Sequence, residues 1–324
     1  MKVKQGEMEM IAGIRAAAAR SLRNPAVRLG IGDDCAILRV PRGHALLVTT
    51  DLSLEGRHFR RDWHPARSVG HRTLARGLSD LAAMGAEPLA AFLSIALPRK
   101  LAGSRWAAEF LQGLLALAKQ AGVGLAGGDT AEFSAGVVAD IVLTGSAPAG
   151  TALRRSGARA GDVLYVTGAL GGAAAELATL PTSRRREMRH PEFSAHPHLF
   201  PQPRLAVGKR LRKIATACID VSDGLSTDLA HLCVESRCGA LIEADAVPVH
   251  ALAAPRQDAL HLALHGGEDY ELLFTARANT RVPRSIAGVK ITRIGTMTAG
   301  RSAKIIGING KASVLKPQGW EHFK

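Results

Sequence analysis

Six short acidic motifs, each beside a glycine or a hydroxyl residue, are where this chain is equipped for chemistry: Gly32-Asp33-Asp34, Thr49-Thr50-Asp51, Ser79-Asp80, Gly127-Gly128-Asp129-Thr130, Asp220-Val221-Ser222-Asp223-Gly224 and Gly266-Gly267-Glu268-Asp269. A glycine lets a ligand approach the main chain, and a neighbouring carboxylate meets a hard cation. Singly, each motif reads as a turn or a helix cap; Ser222-Asp223 before GLSTDLAHL is expected to cap that helix. Their number in one chain points instead to carboxylates that converge. Two carboxylates about 4 Å apart repel by about 4 kcal/mol at an effective dielectric of roughly 20, so converging ones require divalent cations. Oxygen donors without His or Cys favour Mg²⁺ over zinc, and Mg²⁺ usually arrives with phosphates. A nucleoside triphosphate suits such a cleft.

The common nucleotide-binding arrangements are missing. Gly122-Val-Gly124-Leu-Ala-Gly127 matches GxGxxG, but a dinucleotide fingerprint runs from strand through glycines into a helix. Here a helical pattern precedes the glycines, and an Asp-Thr pair with a strand follows. The sequence has neither a GxxxxGK[ST] loop nor the HRD and DFG pair of protein kinases, so phosphate binding has to be built differently.

The elements that must position these motifs alternate between strand and helix patterns. ALLVTTDLSL reads as a strand, SVGHRTLARGLSDLAAMGA as a helix, PLAAFLSIALP as a buried strand, and residues 104–121 as a helix followed by the glycine-rich AGVGLAGGDT. An apolar strand near 136–146 closes the first half. GDVLYVTG opens the second, followed by a glycine turn with a helix in GALGGAAAELA, a Pro-rich stretch near 191–203, a helix from about 204, and ACIDVSDGLSTDLAHLC. The expected boundary lies near residue 150.

The 324 residues suffice for two domains, each with its own core. With 47% hydrophobic and 22% charged residues, the chain has a globular composition. No apolar run reaches the roughly 20 residues of a membrane span, and MKVKQGEMEM carries charges where a signal peptide needs an apolar core, so a cytoplasmic location is expected. The four cysteines, Cys35, Cys218, Cys233 and Cys238, form no CxxC pair and are expected to be small buried hydrophobes. The net charge of +14 is scattered. Its one dense run, Arg184–Arg186, lacks interleaved aromatics and reads as a solvated loop rather than a nucleic-acid platform.

LGIGDDCAIL, TTDLSLEGRHF, LSDLAAMGAEP, GGDT, LRRSGARAGDVLYVTG, IDVSDGLSTDL and GGEDYELLF, in that order, resemble the thiamine-monophosphate kinase family. That family is a branch of the superfamily of aminoimidazole ribonucleotide synthetase and selenophosphate synthetase. The resemblance runs from GEMEMI to GWEHFK, although SDLAAMGA and GGDT recur across the superfamily. The selenophosphate branch expects a Cys or selenocysteine beside a catalytic Lys near its start, and the hydrogenase-maturation branch a C-terminal Cys; this sequence shows neither. GRHF and GWEHF fit the thiamine branch better than aminoimidazole ribonucleotide synthetase.

The resemblance implies a two-domain aminoimidazole ribonucleotide synthetase-like fold of α/β (α+β) class. Residues 1–149 would form an N-terminal domain that binds ATP and Mg²⁺ and dimerises through barrel-forming strands; residues 150–324 would form a C-terminal α/β domain completing the nucleotide and substrate site. It also implies a cytoplasmic homodimeric kinase, with ATP as co-substrate and several Mg²⁺ ions, converting thiamine monophosphate to the diphosphate, with no nucleic-acid or membrane partner. Carried over by motif, Asp34, Thr49, Thr50, Asp51, Asp80, Asp129, Asp220 and Asp223 look like the magnesium shell, with Asp33 the alternative to Asp34. Gly128, Asp129, Arg155 and Ser222 look like ATP contacts, Arg155 being preferred to Arg154 because it immediately precedes SGA. His58, Glu268 and Trp320 look like substrate contacts. A phosphate monoester has a second pKa of about 6, so its accepting oxygen is already anionic and no catalytic general base is expected.

Overall fold

The computed structural model describes residues 7–22, 24–181, 196–307, 309–321 and 323. The basic run Arg184–Arg186 and residues 191–195 of the Pro-rich stretch lie outside them. The described residues divide into two compact units, 7–81 with 87–150, and 82–86 with 151–181 and 196–324.

In the first unit, α1 (Glu7–Arg20) leads to the short pair β1 (Val27–Leu29) and β2 (Ile37–Leu38). The strand expected in ALLVTTDLSL is β3 (His44–Leu54), and the next helix and strand patterns become α2 (Ala66–Ala83) and β4 (Glu87–Leu97). Then come α3 (Arg105–Ala121), β5 (Gly124–Glu132) and β6 (Val138–Pro148). The sheet order is β3-β6-β4-β5, antiparallel except for β4 with β5. A parallel pair needs a crossover, and α3 supplies it. Ser104 caps α3 by accepting the Ala107 N–H, and Gly122, at φ 71°, ends it in the left-handed region.

Close packing of α2 on α3 requires glycine. A Cβ on Gly70 would lie 1.8 Å from the Phe110 carbonyl oxygen, and one on Gly113 would lie 1.9 Å from that of Arg67. Leu74, Leu78, Phe110, Leu114, Ile141 and Leu143 fill the core between helices and sheet.

GGDT does not form a turn. It lies inside β5, where Gly128 at φ 147° sits so close to β4 that a Cβ would be 1.8 Å from the Leu93 carbonyl oxygen. The sheet is open, with β3 and β5 at its edges rather than closed into a barrel. The outer face of β3 exposes Leu46 (50%), Val48 (59%) and Leu52 (50%).

The second unit starts with β7 (Val163–Thr167), α4 (Gly172–Leu177) and α5 (Leu205–Leu211). It continues through β8 (Ala217–Val221), α6 (Leu225–Ser236), β9 (Gly239–Glu243), α7 (Ala259–His265) and β10 (Glu271–Ala276). The hairpin β11 (Ser285–Ile286) and β12 (Val289–Thr298) precedes β13 (Ala303–Ile306) and β14 (Ala312–Val314). The sheet runs β14-β13-β9-β12-β7-β10-β8, with β11 paired to β12; only β13 with β9 is parallel. Alternation along β8 and β10 serves two cores. Ile219, Val221 and Leu273 face the cluster containing Leu225, Leu229 and Leu232 of α6, whereas Cys218, Leu272 and Phe274 face one containing Val207 and Leu211 of α5. No helix among the described residues is long and apolar enough to cross a membrane.

Candidate active site

In the first unit, β3 and α2 hold three of the acidic or hydroxyl candidates against one another. Residues two apart on a strand share a face, so Thr49 and Asp51 point toward α2. Thr49 Oγ1 donates to Asp80 Oδ2, and Arg76 Nε donates to Asp51 Oδ1 at 2.8 Å. Thr50, one residue out of phase, is exposed on the opposite face with Leu46 and Val48.

Of the other first-unit candidates, Asp33 and Asp34 sit at a tight local bend and Asp129 lies inside β5. Asp33 Oδ1 accepts the Asp34 N–H at 2.9 Å, and Asp129 Oδ1 accepts the Thr130 N–H at 2.8 Å. All three aspartates are exposed. Cys35, beside Asp34, is exposed too, against the expectation of burial, because the turn carries it out of the core; the other three cysteines are buried. Burial pushes the Cys233 thiol up to about 12. His58 turns back on its own loop, its Nδ1 accepting the Leu54 N–H at 3.0 Å, and its carbonyl accepts from Arg72. A cavity of about 1090 Å³ between α1 and α3 is lined by none of the six motifs.

In the second unit three loops are hydrogen-bonded into one surface. Glu268 N–H donates to the Ser222 carbonyl at 2.7 Å, Tyr270 N–H to that of Val221 at 2.9 Å, and Trp320 N–H to that of Asp223 at 3.1 Å. Gly319 has to be glycine there, since a Cβ would lie 1.9 Å from the Asp223 carbonyl oxygen. Ser222, Asp223, Glu268 and Trp320 are thereby neighbours, with Asp220 buried at the end of β8. Trp320 is 45% exposed. Arg155 is exposed, and its carbonyl is fixed by Ser236 Oγ at 2.8 Å.

The expected cap by Ser222-Asp223 is not made: the N-cap of α6 is Gly224, with no side-chain cap bond. Asp228, from inside the helix, instead accepts the N–H groups of Asp223 and Gly224 at 3.1 and 3.0 Å. Burial, then the charges of Asp220 and Asp223, push its carboxyl well above the usual range. Such crowding is what a bound cation relieves, so the donor chemistry fits Mg²⁺. Among the described residues no three His, Cys, Asp or Glu side chains are arranged to hold a metal ion.

Sequence reasoning passed over Arg204 and Glu271, and it named Asp269 in a motif without giving it a role. Arg204 forks onto the buried Glu271 at 2.8 and 2.5 Å, with Thr167 Oγ1 donating to the same carboxylate. Asp269 accepts the Gly171 and Ala173 N–H groups at 2.6 and 3.1 Å, so a carboxylate already occupies the glycine turn before α4. Burial raises the Asp269 pKa from 3.8 to about 7 against the pull of those bonds.

The folded state therefore takes up this proton more readily than the unfolded chain. The stability it contributes is complete below about pH 4 and lost as pH rises through about 7. Relative to Asp269→Asn, the wild-type unfolding free energy should fall between those limits by on the order of 1–3 kcal/mol, damped by the solvent this half-buried residue still meets. Urea titrations at the two pH values check it; parallel behaviour of the two proteins overturns it.

Two packed α/β units, glycine turns carrying carboxylates and no P-loop define the class. The chain belongs to the AIR synthase related protein family, whose N-terminal domain matches residues 32–148 and whose C-terminal domain matches residues 159–308. Within it, the chain is 42% identical over 312 residues to the thiamine-monophosphate kinase of Salmonella typhimurium, covering 92% of each chain. It is similar to the crystal structure of thiamine-monophosphate kinase from Stenotrophomonas maltophilia, with TM-score 0.80, 35% identity and coverage of 95% of this chain and 98% of that one. A structure described as AaThiL complexed with AMPPCP and TMP matches with TM-score 0.77 and 29% identity, over 100% of this chain and 99% of that one.

Proposed function

We propose that the protein is a thiamine-monophosphate kinase, moving the γ-phosphoryl group of ATP onto thiamine monophosphate to give thiamine diphosphate. What carries this reading is that Ser222, Asp223, Glu268 and Trp320 are bonded into one surface, in a chain whose relatives of that name match over most of its length.

Asp34, Thr49, Thr50, Asp51, Asp80, Asp129, Asp220 and Asp223 would hold several Mg²⁺ ions, Thr50 through its carbonyl. When bound, these ions offset the charge that builds up as two phosphates approach. The remaining chemistry falls to the chain. Gly128, Asp129, Arg155 and Ser222 bind ATP, with the guanidinium of Arg155 drawing charge from the transferred group. The Trp320 ring and the Glu268 carboxylate meet the cationic base of the substrate, and His58 is a further substrate contact. Because the accepting oxygen is already anionic, the chain's task is alignment, and transfer is direct and in line.

Residues 1–149 serve ATP, metal and dimerisation, and residues 150–324 complete the site. The exposed Leu46, Val48 and Leu52 on edge strand β3 support pairing with a second copy, in which the two open sheets close a barrel. A sedimentation velocity run showing a monomer at micromolar concentration would sink this part. A cytoplasmic location follows from the ATP requirement.

Purified protein incubated with ATP, Mg²⁺ and thiamine monophosphate should yield thiamine diphosphate, scored by fluorescence after oxidation to thiochrome. Free thiamine in its place should yield none. No product from the monophosphate, with ATP binding intact, refutes the assignment.

A further inference from the structure

We propose that Asp228 is a positioning residue that fixes the loop of Ser222, Asp223 and Gly224 in the form that receives a divalent cation; this rests on the reading of Asp223 as a metal ligand. Asp228 is 2% exposed, in the first turn of α6. No step of the phosphoryl transfer uses this buried carboxylate.

The loop between β8 and α6 is held through its main chain from two directions. Its carbonyls are taken by other loops: Ser222 O accepts the Glu268 N–H at 2.7 Å, and Asp223 O accepts the Trp320 N–H at 3.1 Å. Its N–H groups turn to the helix that follows. A single oxygen, Asp228 Oδ2, accepts from Asp223 at 3.1 Å and from Gly224 at 3.0 Å. The Asp228 N–H donates in return to the Gly224 carbonyl at 3.0 Å, so loop and helix close a ring on each other. Asp228 thus performs from inside the helix the task that a capping Ser222 or Asp223 would perform from the loop.

Gly224 makes this tie matter. At φ 110° it lies where side chains rarely go, and a Cβ there would sit 2.9 Å from the His265 carbonyl oxygen. Glycine is required, yet glycine alone does not choose that conformation. Without the shared acceptor the loop samples other main-chain directions, and those directions set where the Asp223 carboxylate is presented. Cation binding then has to include the cost of ordering the loop. Residues that orient a metal ligand in this way change metal affinity by about 10–100-fold when removed.

Four variants test this: Asp228→Ala, Asp228→Asn, Asp223→Asn, and the double variant of Asp228→Ala with Asp223→Asn. Mn²⁺ is the probe. Its binding is read from the free-ion signal in electron paramagnetic resonance with AMPPCP present, the uptake by AMPPCP alone being subtracted. Asp228→Ala should weaken Mn²⁺ binding about tenfold. The Mg²⁺ concentration for half-maximal turnover should rise by about as much, with the rate at saturating Mg²⁺ within about threefold of wild type. A merely structural loss would lower that rate without moving the midpoint. Asp228→Asn keeps an oxygen for both N–H groups and should bind Mn²⁺ within about threefold of wild type. In the Asp223→Asn background the Asp228 change should add less than about twofold. If Asp228→Ala loses its fold by circular dichroism, Asp228→Leu, which fills the space without an acceptor, takes its place with the same expectation. Wild-type binding by Asp228→Ala while Asp223→Asn is impaired, equal weakening in both backgrounds, or no rescue by asparagine overturns the positioning role and leaves the metal ligand standing. Wild-type Mn²⁺ binding by Asp223→Asn overturns that residue's place in the metal shell, and the proposal with it, as does a wild-type protein with no uptake beyond that of AMPPCP.

Discussion

Asp80→Asn should leave the protein folded and cost at least about 100-fold in kcat, the scale of losing one electrostatic contributor to a transition state. The carboxylate is half-buried on α2 and accepts from Thr49 Oγ1. Asparagine has the same shape and an oxygen for that hydroxyl, so the contact between α2 and β3 survives. What it lacks is charge, which is what a Mg²⁺ site needs. Asp51 is the poorer choice for the same test. Its Oδ1 accepts from Arg76 at 2.8 Å, with the two side chains only 24% and 16% exposed, so neutralising it also strips a cation of its carboxylate and confounds activity with stability. The thiochrome assay with a thermal melt reads both quantities. Near-wild-type turnover by Asp80→Asn would remove this residue from the metal shell.

Much of the first unit was legible because its elements are long and periodic. The patterns at 45–54, 68–86, 88–98 and 104–121 correspond to β3, α2, β4 and α3 within a few residues. GGDT was not, because glycine signals a turn locally, while tertiary contact with Leu93 makes it the residue a close strand pair needs. The open sheet was hidden for another reason: the family pattern describes strands, and only a partner can decide whether they close.

Individual side chains in the site were legible as motifs, their partners less so. Arg76 and Asp51 are 25 residues apart, and Thr167 and Glu271 104 apart; no spacing rule predicts such pairs, since the fold makes them. The cap of α6 shows the same limit at short range. Ser222-Asp223 has the right composition, but Gly224 at φ 110° begins the helix one residue later. The bond then comes from Asp228, which the periodicity had counted only as a helix residue.

Arg154 and Arg155 pose a choice that the sequence makes in favour of Arg155, and the structure makes its test experimentally clean. Both enter the fold through their main chains: the Arg154 carbonyl accepts the Cys218 N–H at 2.8 Å, and the Arg155 carbonyl accepts from Ser236 Oγ at 2.8 Å. Both residues are exposed, so truncating either to alanine should shift the melting temperature by no more than about 2 °C, the scale of a surface change. Arg155→Ala should then lower kcat about 100-fold, or about 2.7 kcal/mol of transition-state stabilisation. Arg154→Ala should stay within about threefold of wild type. A guanidinium acting only as a solvated charge would affect both variants alike and weakly, by an amount that vanishes in moderate salt. One that meets the transferred phosphoryl group produces a loss that salt does not repair. If Arg154→Ala shows that loss instead, the contact moves by one residue and the mechanism stands; if neither does, positive charge from these arginines takes no part in the transfer.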